Sequence, residues 1–74
     1  MDFNFKEDLM TITSLPEFLS GNRDDARSKL VRVYFTLKNE VCKKCLLNAL
    51  ERSLDGESIR GAMESELNKI LDIL

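Results

Sequence analysis

Between Asn22 and Leu54 the apolar residues recur with a helical period, but the face they mark changes part-way along. Leu30, Val33, Tyr34, Leu37, Val41 and Cys45 follow at steps of three, one, three, four and four, which is one side of a helix. Lys29, Arg32, Thr36, Glu40 and Lys43 take the opposite side, as solvated positions do. At about 100° per residue, Leu46, Leu47, Leu50 and Leu54 do not continue that stripe and project near the lysine side. Two arrangements explain the change. The segment breaks near 38–40, so that its halves meet one core from different angles. Or it runs on unbroken and its second half is gripped from both sides, once by its own chain and once by another.

The start of this stretch is well marked. Asn22 is a good cap, because its short side chain can accept from a free N–H of the first turn. Asp24 and Asp25 then place negative charge at the positive end of the helix dipole. Upstream, Phe5, Leu9 and Ile12 share a face in a short helix over about 4–12. Ser14 and Glu17 have the spacing of a capping box, and Pro16 falls in the first turn, where its missing N–H does no harm. Leu15, Phe18 and Leu19 are then expected to point inward over 15–20. Downstream, Gly56 marks a turn and Asp55 is placed to cap the next helix. Ile59, Met63, Leu67, Ile70 and Leu74 form the cleanest amphipathic stripe in the chain, with Ala62 and Ile73 beside it, over 56–73. Gly61 suggests a close approach by a neighbouring helix, and the stripe's length suggests a docked C-terminal turn.

Size narrows the possibilities. A chain of 74 residues makes one domain at most, here 1–74, and a domain that small hides only about 60% of its unfolded surface. Disulfides, metals or association are the usual remedies. Two cysteines three residues apart close no useful loop, and there is no histidine, the commonest metal ligand and general base. Association is what remains. No stretch of eighteen apolar residues predicts a membrane span, and Met1–Phe5 lacks the pattern of a secretory signal. Together with free thiols, this gives the expectation of a cytoplasmic protein. The net charge of −2 is unfavourable for general nucleic-acid binding.

Cys42-Lys43-Lys44-Cys45 is the one motif-like element. Neighbouring lysines favour a thiolate, but a redox pair of this spacing normally opens a helix after a strand. A zinc site needs four ligands, so one chain supplies half a set and only a dimer could complete it. Structural thiols are the simplest reading. Glu64 and Glu66, two apart, do not face each other on a helix, and Ser53, Ser58 and Ser65 have no histidine to activate them. No glycine-rich phosphate loop is present. No cofactor is implied, and enzymatic activity is not expected.

Residues 30–37, Leu-Val-Arg-Val-Tyr-Phe-Thr-Leu, also alternate as a strand would, and two helical patterns follow. Over 31–67 this order resembles the ribbon-helix-helix family of dimeric repressors, whose paired strands enter the DNA major groove. Ile59-Arg60-Gly61-Ala62-Met63 is similar to the start of that family's second helix. Lys38 stands where a proline usually follows the strand, and the acidic first third is foreign to the family. The resemblance implies a dimeric DNA-binding regulator with Arg32, Tyr34 and Thr36 facing the bases.

The capped start at Asn22 and the continuity from Leu30 to Cys45 favour the helical alternative. The sequence thus predicts an all-α bundle of three to four helices over about 4–12, 15–20, 23–53 with a break allowed near 38–40, and 56–73. The expected function is that of a non-enzymatic interaction or regulatory protein. It would dock Leu46, Leu47, Leu50 and Leu54 on a second copy, as a homodimer, or on another protein.

Overall fold

A computed structural model describes residues 3–73. Helix α1 spans Phe3–Ser14 and runs into a 3-10 turn at Leu15–Phe18; α2 spans Arg23–Tyr34, α3 Glu40–Leu54 and α4 Ile59–Ile73. The architecture is all-α, with no strand among the described residues. The strand alternative for 30–37 is therefore overturned: Arg32 and Tyr34 lie in α2, and Thr36 lies in the turn beyond it. The Thr36 hydroxyl donates to the Val33 carbonyl at 2.7 Å, which is helix-end bonding and leaves no ladder to pair.

The long central stretch is two helices. Chain reversal occupies residues 35–39, where the Thr36 and Leu37 amides bond back to Val33 and Tyr34 at 2.9 and 3.2 Å. Leu37 is buried and anchors the turn. Asn39 then starts α3, its side-chain oxygen accepting from the Val41 and Cys42 amides at 2.8 and 3.2 Å. The same device starts α2, where Asn22 accepts from Asp25 at 3.0 Å. A long-range bond fixes the reversal. The buried carboxylate of Asp8, in α1, accepts from the Lys38 and Asn39 amides at 2.7 and 2.6 Å. Two amides that would otherwise need water thus meet a charged acceptor inside the fold.

Helix α3 contacts α1, α2 and α4. Its inward face is Cys42, Cys45, Leu46, Ala49 and Ser53, mostly small residues, so that neighbours on several sides can approach its backbone. Ile12, Leu15, Leu19, Leu30, Met63, Leu67 and Ile70 complete the core. Arg23 and Arg27 of α2 reach the far end of α3: Arg23 donates to the Ser53 carbonyl, and Arg27 to the Ser53 hydroxyl at 3.1 Å. Those contacts make α2 and α3 antiparallel and supply donors to the last turn of α3, where carbonyls have no helical partner. Arg60 of α4 holds the 3-10 turn by donating to Pro16 and Leu19 carbonyls at 3.0 and 2.9 Å.

Several local expectations differ from the structure. Ser14 and Glu17 form no capping box; Ser14 is still helical and donates to the Thr11 carbonyl at 2.9 Å. Leu15 and Leu19 point inward, but Phe18 is 64% exposed, with the Lys29 ammonium 5.6 Å from its ring centre. Asp55 ends α3 and does not start α4; the Ser58 hydroxyl accepts from the Gly61 amide at 3.0 Å and takes that role. The turn between them needs Gly56, whose φ is 97°. Gly61 makes room for no neighbouring helix: a Cβ there would meet only the Ser58 oxygen, at 2.8 Å. The last described turn of α4 is not docked, since Ile73 is 85% exposed, and Leu74 lies outside the described residues.

The Ser58–Gly61 pair gives a coupled prediction. Ser58→Ala removes a cap and should cost about 1 kcal/mol in urea unfolding. In a Gly61→Ala background, where the cap oxygen is already displaced, the same change should cost close to nothing.

Candidate functional site: the outer strips of the central helix

Because its neighbours cover α3 only in part, what α3 leaves uncovered is the natural place to look for function. Its inward stripe lies between two others. On one side Leu47, Leu50 and Leu54 follow at three- and four-residue steps, a single strip of helix surface. On the other side Val41, Lys44 and Asn48 border α4.

The four leucines expected to dock a partner divide. Leu46 is 0% exposed and belongs to the core of its own chain, so it is removed from any docking face. The reason is geometric. The true inward face of α3 is centred on Cys42, Ala49 and Ser53, and Leu46 lies within that arc. Leu50 is half-buried and packs on the core from its edge. Leu47 is 39% exposed and Leu54 70% exposed, and both present apolar surface outward. Val41 and Ile73, either side of the α3–α4 boundary, are also exposed. The second strip was missed because Val41 was assigned to the core stripe of a longer helix. The signal that could have found it was Asn39, which starts a new helix with its own phase.

The two cysteines sit inside. Burial pushes the Cys42 thiol up from 9.0 to about 11, with the Asp8 carboxylate adding to the effect. Burial likewise pushes Cys45 up to about 12, helped by Glu66. The lysines between them do not win, because desolvation by burial is the largest influence on both thiols, and Lys43 is engaged by Glu40 at 3.5 Å. Cys42 is completely buried, so a metal shared with a second copy would require α3 to be peeled from its neighbours. Among the described residues no group of three or more His, Cys, Asp or Glu side chains could hold a metal ion.

An ion cluster built on one buried carboxylate ties α3 to α4. Glu66 of α4 is 4% exposed and accepts from Arg52 at 2.8 Å and Lys69 at 2.9 Å. Arg52 also grips Glu57 through two bonds of 2.6 and 2.8 Å and donates to the Ser65 hydroxyl at 2.7 Å. Burial pushes the Glu66 carboxyl up, and hydrogen bonds from Lys69, Arg52 and Asn48 more than offset it, so the group stays below its ordinary 4.5. Glu64, the other carboxylate weighed as a possible acid or base, is exposed and apart from this cluster. Each charge in the cluster answers another, which is the chemistry of a fastening. Ser53 is likewise satisfied, donating to the Leu50 carbonyl at 2.6 Å.

No protein-family model, curated protein or solved structure matches the chain. Among the described residues no helix is long and apolar enough to cross a membrane.

Two pH responses follow. The lowered Glu66 carboxyl contributes stability that is present above pH 4.5 and lost as pH falls through its folded value. Glu66→Gln should therefore flatten the acid limb of a stability–pH curve and cost about 2 kcal/mol at neutral pH in urea unfolding. The raised thiols act in the opposite sense: their contribution is complete below 9.0 and lost as pH rises towards about 11 and 12. In native buffer both thiols should resist a thiol-reactive chromogen, and both should react at once in denaturant.

Proposed function

We propose that this chain is a non-enzymatic interaction module, working through the Leu47–Leu50–Leu54 strip of α3, with a second copy of itself as the first occupant. The exposure of Leu54 and Leu47 beside a core already filled by other side chains supports this reading. The accessible surface of 4838 Å² is close to the roughly 4,700 Å² typical of a folded monomer of this mass. The leucines are therefore not exposed by loose packing; the fold is complete without them. A row of branched apolar side chains at helical spacing on such a surface is the form taken by helix-in-groove and helix-on-helix docking. Helix pairing of this kind is self-complementary when two copies meet about a two-fold axis.

Analytical ultracentrifugation tests it. Leu47→Asp and Leu54→Lys should leave the helical circular dichroism spectrum unchanged and shift a dimer to the monomer mass. A wild-type chain that stays monomeric at high concentration, or a dimer indifferent to both changes, would remove the second copy as occupant.

A further inference from the structure

A trough runs along the α3–α4 boundary. Its first part, about 350 Å³, is lined by Val41, Cys45, Ile70 and Ile73 and also by the charged Glu40 and Lys44. Its second part is polar and reaches Glu51 and Asp55. The two adjoin at Asn48, Glu66 and Lys69, which line both.

Charge is unevenly spread along it. Arg52 and Lys69 are engaged by Glu57 and Glu66. Glu51 and Asp55 are exposed and make no ion pair among the described residues. Both stand in or just past the last turn of α3, where the helix dipole adds potential of the same sign. One end of the trough therefore holds most of the apolar wall together with the opposite charges of Glu40 and Lys44, and the other carries the negative charges of Glu51 and Asp55. Val41 and Glu51 are ten residues apart on one helix, about 15 Å along its axis.

We propose that this trough takes an amphipathic helix of a partner protein, apolar side chains seated against Val41 and Ile73 and basic side chains about three turns away against Glu51 and Asp55. A second copy is the rival occupant: pairing the trough with itself about a two-fold axis sets Glu51 and Asp55 either against their own equivalents or near Lys44 and Val41. In that case Val41→Asp would lower the solution mass, and that outcome would overturn the assignment. A small molecule does not fit well, because the trough is open along its length and would leave much of it wet. The apolar end of the trough is about 120° around α3 from Leu47, whereas its acidic end adjoins the leucine strip, Glu51 standing four residues after Leu47 and three before Leu54.

The probe is a labelled peptide of about 16 residues, helical by design, with two leucines one turn apart and two arginines about ten residues further on. Fluorescence anisotropy should show binding to the full chain that weakens with salt, and amide shifts should centre on Val41, Cys45, Glu51, Ile70 and Ile73. Val41→Asp and the pair Glu51→Lys, Asp55→Lys should each weaken it by about tenfold or more. Leu47→Ala, which adds no charge beside Glu51, should leave it unchanged, whatever that variant does to self-association. Equal binding by a peptide with glutamates in place of the arginines would overturn the assignment. So would shifts centred on Leu47 and Leu54, or no binding up to about 1 mM.

Discussion

Small residues along one line of α3 are the constraint from which the rest follows. Cys42, Cys45, Ala49 and Ser53 let α1, α2 and α4 pack around a single helix in a chain of 74 residues. A larger residue at Ala49, which is fully buried, would force those neighbours apart. With so few elements, the enclosure cannot be complete. The uncovered parts of α3 are two strips, one aliphatic and one graded from apolar to acidic, and both functional proposals rest on that incompleteness.

Polar chemistry inside the fold serves to hold helices in place. Asp8 joins α1 to the start of α3, Arg23 and Arg27 join α2 to its end, and Arg52 with Glu66 joins it to α4. Each side chain satisfies backbone or charged groups that would be costly to bury alone. Histidine is absent, the thiols are buried and held protonated, and the one buried carboxylate cluster is fully answered by cations.

The sequence was most legible where local chemistry decides structure. Asn22 as a cap, the stripe from Ile59 to Ile70, and the all-helical class follow from period and short-range bonding, and the structure shows each. Asn39 carried the same information as Asn22, which is why a break near 38–40 could be allowed for. Errors arose where leucines alone were used to define a face. Leu46 looked like part of an outward row because Cys42, Ala49 and Ser53, which mark the real interior, are small and weigh little in a hydrophobic pattern. Ser14 and Asp55 had the right residue types for caps, yet their neighbours Ser58 and the continuing helix competed for the same roles. The Asp8 bond and the Arg52–Glu66 cluster span 14 to 31 positions and leave no local trace.

The Asp8 carboxylate has a consequence for how this chain can vary. Surface connections usually absorb insertions and deletions easily. Here the link between the second and third helices is indexed to a fixed point thirty residues upstream. One residue added between Leu37 and Asn39 would slide the amides off that point or rotate everything after it by about 100°. A rotation of that size would turn one of the two outer strips towards the interior and carry Cys42, Ala49 and Ser53 out of it. This short link therefore behaves as a ruler, tolerant of new side chains at its exposed positions but not at buried Leu37, and intolerant of a new length.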